Sequence, residues 1–237
     1  MLKKEITEII SAAHQTGWVM EPEAKRLLAI AGLEVPRFKW ATSMEEALRS
    51  AHEIGYPVVG KVVSCSVVHK SDQGGVALGI DSDKTLESVY RRFGSMENFA
   101  GMLVEETVSG VELILGAKID YQFGPVILLG MGGTGVEIYK DAVVRMAPLQ
   151  EKDVTSMVRS LRSHQLLEGY RGSEPVDLNK LSRMMKAFSG LVIELEEVIS
   201  SIDINPVMCS SKSCIVADAR IMLQREAQSR GTKDEDR

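Results

Sequence analysis

Two hydrophobic periods alternate along this sequence, and that alternation restricts the chain to folds that interleave sheets with helices. Strands are read at Val35–Ala41, Val58–Val63, Gly75–Ile80, Met102–Glu106, Val111–Ile119 and Ala142–Ala147, with an apolar run at Val126–Leu129. A helical period marks 2–16, where Leu2, Ile6, Ile9, Ile10 and Ala13 share one face, and also Thr85–Phe93, Glu151–Arg162 and Leu178–Leu195. Pro22 opens a helix that Gly32 stops, and Ser43-Met44-Glu45-Glu46 is a capping box for a helix running toward Ile54. These elements predict an α+β chain of two lobes meeting near residues 105–110. The expected division is an N-terminal helix (1–17), a first lobe (18–106), a second lobe (107–222) and a flexible polar tail (223–237). A cleft between lobes is a common ligand site.

At 237 residues the chain can bury a sizeable core without staples. Its formal net charge of -5 and pI near 5.5 argue against bulk attraction to nucleic acid or anionic lipid, so any anion site is local. No run approaches the ~20 apolar residues of a membrane span, and no secretory leader pattern is visible. Cys65, Cys209 and Cys214 have neither zinc-like spacing nor an even count, which makes a reducing cytoplasm the expected location.

Residues 201–220 carry the most chemistry. They read as two strands joined by a polar hairpin loop, with Asp203 and Asn205 on one face of the first strand and Asp218 able to face them from the second. Three oxygen donors without His or Cys favour a hard cation such as Mg2+, and such sites usually hold a nucleotide. Lys61 stands in the apolar strand Val58-Val59-Gly60-Lys61-Val62-Val63, where a buried ammonium needs an anion unless it snorkels to water.

Gly130-Met131-Gly132-Gly133-Thr134-Gly135 follows an apolar strand and either cradles phosphoryl oxygens with its amides or makes a tight turn; its spacing matches neither the dinucleotide fingerprint nor a Walker A loop. Arg145 alternates with Val143 and Ala147 and is a phosphate ligand or a surface salt bridge. Val104-Glu105-Glu106-Thr107-Val108 lies where the lobes join, either as backbone amide and carbonyl groups open to a ligand or as a solvated strand end, with the Glu112 carboxylate nearby; adenine does not follow from composition or spacing. His69, in a polar loop, is a phosphoryl acceptor, a base or a loop residue; His14, His52 and His164 read as structural.

Together these segments resemble the nucleotide-binding β subunit of the ADP-forming acyl-CoA synthetases, especially ADP-forming acetate–CoA ligase, relatives of succinyl-CoA synthetase in the ATP-grasp superfamily. The resemblance covers about residues 18–222 and rests on GYPVVGKVVS (55–64), VVHKSDQGGVALGI (67–80), LVEETVSGVELILGAKIDYQFGPVILLGMGGTGVEIYKDAVVRMAPL (103–149), SIDINPV (201–207) and VADARI (216–221), in the family's order.

The resemblance implies an ATP-grasp fold whose two α+β lobes enclose a nucleotide cleft for ATP or ADP with Mg2+. Lys61 would contact the phosphates, Glu105, Glu106 and Val108 would line the adenine pocket, and Glu112 would sit by the ribose. Arg145 would stabilise transferred phosphate, with Gly132 and Gly133 helping to hold it. Asn205 and Asp218 would be the metal ligands, with Asp203 in support, and His69 would take part in a phosphoryl relay. A CoA-binding α subunit carrying a phosphorylated histidine would be the partner, in an α2β2 heterotetramer. The chain departs from the pattern at Gly60, where relatives more often carry Ala or Leu, and at Ser109, often Gly. The competing expectations are a related ligase for another acid and a non-catalytic nucleotide-binding subunit.

Overall fold

In chain order the elements are α1 (Lys4–Ala13), β1 (Trp18–Val19), α2 (Glu21–Ile30), β2 (Phe38–Ala41), α3 (Met44–Ile54), β3 (Val58–Ser64), β4 (Val76–Ile80), α4 (Asp83–Gly94), β5 (Phe99–Glu106), β6 (Val111–Asp120), β7 (Gly124–Met131) and β8 (Ala142–Met146). They continue with α5 (Glu151–Ser160), α6 (Leu178–Glu194), β9 (Ile199–Cys209), β10 (Cys214–Val216) and β11 (Ala219–Leu223). This is a computed structural model, which describes residues 3–65, 73–133 and 141–224.

The strands form two antiparallel sheets, the smaller in the order β2-β5-β3-β4 and the larger in the order β1-β11-β9-β6-β7-β8, with β10 also on β9. Alternation decides what each face of the small sheet meets. Val58, Val62, Ile80, Met102 and Val104 point to one side and pack with Ala47, Ala51, Leu86 and Phe93 of α3 and α4. The same alternation turns Val59, Lys61, Leu103 and Glu105 to the opposite side, because Lys61 pairs with Leu103 and Val59 with Glu105.

Gly60 is explained by this core. A Cβ there would lie 2.1 Å from Met102 Cε and 2.9 Å from Ile80 Cδ1, so the buried methionine occupies the space a larger residue would fill.

The large sheet has one apolar face, with Leu113, Leu115, Ala117, Ile127, Leu129, Ile202 and Ile204, covered by α5, α6 and the N-terminal helices. Helix α6 starts as its sequence requires: the Asp177 side chain accepts the N–H groups of Asn179 and Lys180, satisfying donors the helix leaves open. Ser43 caps α3 by accepting Glu46 N–H at 3.2 Å, while Glu46 reaches back to Thr42. Gln150 and Asp153 form a reciprocal box at the start of α5 that the sequence reading overlooked.

The expected lobe boundary needs correction at its N-terminal end. β1 pairs with β11 of the large sheet, and Ala24, Leu27, Leu28 and Leu33 join the large core, together with Ile6, Ile9 and Ile10 of α1. Residues 18–33 therefore pack with the second lobe, because the apolar faces of α1 and α2 are buried there and only the chain from β2 onward enters the small sheet. Of the expected tail, residues 225–237 lie outside the described residues.

Candidate functional site

The Lys61 face of the small sheet looks onto the N-terminal turn of α2, and four charged side chains meet there. Lys61 Nζ lies 2.9 Å from Glu21 Oε1 and 2.5 Å from Glu105 Oε1. Lys25, one helical turn beyond Glu21, donates to the same Glu21 oxygen at 2.9 Å and to Glu105 Oε2. All four are buried: Lys25 is 0%, Glu21 2%, Glu105 2% and Lys61 6% exposed.

Burial alone would press the Lys61 ammonium toward neutrality. The carboxylates of Glu21, Glu105 and Asp218 overcome that and hold its pKa well above the ordinary lysine value of 10.5. The anion that the buried lysine requires is thus supplied first by the protein. Lys61 also donates to the Ala217 carbonyl at 2.5 Å, which ties the small sheet to the hairpin of the large one.

In that hairpin the same register holds on both sides of residues 217–218, which themselves lie between β10 and β11. Cys209 faces Cys214, Val207 faces Val216, Ile204 faces Ala219 and Asp203 faces Arg220. The same register sets Asn205 opposite Asp218, and Ala217 N–H does bond the Pro206 carbonyl at 2.9 Å. Asp218, whose charge is felt at Lys61, therefore links the hairpin to the lysine. Asp203 is drawn elsewhere: its Oδ2 is 3.2 Å from Arg220, and it lines an open depression of about 500 Å³ with Gly116, Lys118, Leu128 and Ser201. Among the described residues no cluster of three or more His, Cys, Asp or Glu side chains is arranged for a cation. The pair of oxygen donors at Asn205 and Asp218 suits Mg2+, which takes one or two protein ligands and completes its shell with water and phosphate oxygens.

Several expected site residues are placed differently from the sequence reading. The Glu105 carboxylate is committed to the two lysines rather than open toward a base. The side chain of Glu106 is held by Arg37: burial works against its charge, but the Arg37 backbone N–H at 2.9 Å and guanidinium at 2.8 Å keep the carboxyl below its usual range. Val108 is half-buried in the connection between the sheets.

Glu112 lies against the glycines, a contact the sequence reading did not anticipate. Gly132 N–H donates to its carbonyl at 2.7 Å, a Cβ at Gly132 would strike its backbone at 2.9 Å, and Gly133, at φ +90°, passes within reach of its carboxylate. Thr134, Gly135 and His69 lie outside the described residues.

Arg145 is set apart from the hairpin residues. It pairs with Ile127, while Val144 pairs with Leu128, Leu128 with Gly116 and Gly116 with Asp203. Arg145 therefore belongs to the helix-covered face and Asp203 and Asn205 to the other. Its guanidinium bonds the Val144 carbonyl and, at 3.2 Å, Ser156 on α5.

Sequence reasoning missed Glu21, Lys25 and Asp141. The acid–base spacing of four in Glu21 and Lys25 is the ordinary pattern of a solvated helix pair, so nothing local marked them. Asp141 is buried and accepts the N–H groups of Arg162 and Ser163 at 2.8 Å each, which pins the chain after the glycine-rich segment to the end of α5.

The sequence matches the ATP-grasp domain family over residues 11–223. It is 38% identical over 230 residues to the β subunit of ADP-forming acetate–CoA ligase I of Pyrococcus furiosus, covering 93% of this chain and 97% of that one. It is also 38% identical to the ADP-forming 4-hydroxybutyrate–CoA ligase of Nitrosopumilus maritimus, covering 86% of this chain and 31% of that longer protein. Among solved structures, the dinucleotide-forming acetyl-coenzyme A synthetase 1 of Ca. Korarchaeum cryptofilum is similar at 37% identity and a TM-score of 0.82, over 92% of this chain and 100% of that one. That structure holds coenzyme A and Mg-AMPPCP, with a phosphohistidine segment pointing towards the nucleotide-binding site.

Proposed function

The chain belongs to the ATP-grasp family, among the β subunits of the ADP-forming acyl-CoA ligases, and from that premise we propose that it carries the nucleotide half of a reversible reaction: acyl-CoA, ADP and phosphate give free acid, CoA and ATP. Its relatives act on acetate and on 4-hydroxybutyrate, so the acid is chosen outside the features these chains share. The observation that carries the proposal is the setting of Lys61, a buried, protonated ammonium between the two sheets, beside Asp218 and the strand position of Asn205.

In the proposed reaction a CoA-binding α subunit forms an acyl phosphate and then a phosphohistidine, which a mobile segment of that subunit presents to the cleft. An oxygen of the ADP β-phosphate attacks phosphorus, the N–P bond breaks and ATP leaves. Phosphoryl transfer of this kind depends on positioning and on neutralising oxygen charge rather than on covalent help from the protein. Lys61 supplies fixed positive charge to the phosphate oxygens in a site where water does not screen it. Asn205 and Asp218 would hold Mg2+, which when bound neutralises phosphate oxygens. The Gly132 and Gly133 backbone and Glu112 orient the nucleotide, the connection around Val108 takes the adenine, and His69 is assigned to the relay. Arg145 has no part in it.

The proposed assembly is an α2β2 heterotetramer in the cytoplasm; no described helix is long and apolar enough to cross a membrane. The test is co-purification with a candidate α subunit, followed by ATP formation from Mg-ADP, phosphate and a panel of acyl-CoAs. Turnover with at least one acyl-CoA is expected. Stable assembly and Mg-ADP binding without turnover on any acyl-CoA would favour a non-catalytic nucleotide subunit.

A further inference from the structure

Lys25 is a fully buried cation that the proposed mechanism does not use. Its side chain has no exposed surface, and its ammonium is enclosed by the Glu21 and Glu105 carboxylates and the Phe38 ring 5.9 Å away. Each of those carboxylates is shared with Lys61. Lys25, Glu21, Lys61 and Glu105 thus close a ring of alternating sign that carries no net charge, with α2 supplying one half and the small sheet the other. On a helix surface an acid–base pair four residues apart contributes little. Inside the protein, where charges interact more strongly than in water, an imbalance of one charge is a large perturbation on its neighbours.

We propose that Lys25 is a positioning residue for the nucleotide site: it balances Glu21 and Glu105 from behind, so that the charge of Lys61 remains available to the phosphates of a nucleoside diphosphate or triphosphate. Without Lys25, both carboxylates of the ring act on one ammonium, in addition to Asp218. Lys61 is then held more tightly to the protein, and the ring presents a net negative charge to an anionic ligand. The proposal rests on the assignment of Lys61 to the phosphates made above. It adds that the affinity of this site is set by a residue that never touches the nucleotide.

The test is Mg-ADP binding to the full chain by calorimetry for the wild type, Lys25→Met and the double variant Lys25→Met with Glu21→Gln, with thermal unfolding of each. Lys25→Met removes the charge while keeping much of the side chain's volume, and its Kd for Mg-ADP is expected to rise about tenfold or more. The double variant restores neutrality, with Glu105 facing Lys61, and is expected to bind within about threefold of wild type. A role in packing alone predicts no such recovery, because the second change adds no packing. Wild-type affinity in Lys25→Met overturns the proposal, and so does a double variant that binds as weakly as the single. If Lys25→Met does not fold, the double variant decides: folding with near-wild-type binding supports charge balance, while weak binding or failure to fold overturns it. A wild-type chain that does not bind Mg-ADP overturns the nucleotide assignment, and this inference falls with it.

Discussion

Lys61, from the small sheet, and Glu21, from a helix packed against the large sheet, meet with 2.9 Å between nitrogen and oxygen, so the two lobes share one buried ion cluster. Removing a single member leaves its partners charged in a place water does not reach. Lys61→Met is expected to destabilise the chain by about 3–5 kcal/mol, the usual cost of stranding a buried partner. Urea unfolding at neutral pH measures it, and a loss under about 1 kcal/mol would contradict a buried ring.

The same lysine sets an alkaline dependence. Its pKa is raised on folding, so the stability it contributes is complete below the ordinary lysine value of 10.5 and disappears as pH climbs through the raised value. Unfolding free energy followed between neutral pH and the alkaline limit is expected to fall in the wild type, and less steeply in Lys61→Met. Parallel curves would show that another group is responsible.

At Gly60 the expected effect is steric. Gly60→Ala drives a methyl group into the Met102 side chain and is expected to cost about 1–3 kcal/mol. Met102→Ala opens a cavity and costs about 2–5 kcal/mol. Because the new methyl enters the volume the methionine vacates, the double variant should lose less than the sum of the two single variants by denaturant unfolding.

These residues also show what was legible in the sequence. Strand and helix periods located the elements, and the spacing of Asn205 and Asp218 about a polar loop anticipated their shared register. Arg145 was placed correctly beside Val143 and Ala147, and both of those pack against the large core, so its own alternation already pointed to the helix-covered face. The charge ring was not readable, because Glu21 and Lys25 look like a solvated pair until α2 is laid against a strand 80 residues away from Lys25. Burial of that kind follows from long-range packing, to which a local pattern is blind.

Asp141 governs an acid limb. Burial opposes its charge, but the Arg162 and Ser163 N–H groups prevail and lower its pKa below the ordinary 3.8. Its contribution is therefore present above that ordinary value and lost as pH falls through the lowered one. Asp141→Asn is expected to cost about 1.5–3 kcal/mol at neutral pH, the worth of hydrogen bonds to a charged acceptor, and to flatten the fall in stability below about pH 4.

The thiols divide by environment. Cys65 is exposed, whereas Cys209 and Cys214 are buried facing partners, and the hydrogen bond that the Cys209 thiol makes to Cys214, together with burial, pushes the Cys209 thiol far up. A thiol reagent at mildly alkaline pH should titrate one group in the native chain and three in denaturant. Rapid native labelling of Cys209 would contradict the packed hairpin.

Asp218→Asn separates the proposed metal role from folding most directly. The change keeps the side chain's size and one oxygen, so the hairpin register and assembly with the α subunit should persist. It removes the negative charge that a divalent cation needs and that also acts on Lys61. ATP formation by the assembled complex is expected to fall on the order of 100-fold, with the loss partly recovered at high Mg2+. Asp203→Asn provides the contrast: that carboxylate is already engaged by Arg220, so its loss should leave the Mg2+ dependence much nearer to wild type. Undiminished turnover of Asp218→Asn at limiting Mg2+ would remove this carboxylate from the metal site and leave the Lys61 cluster as its principal role.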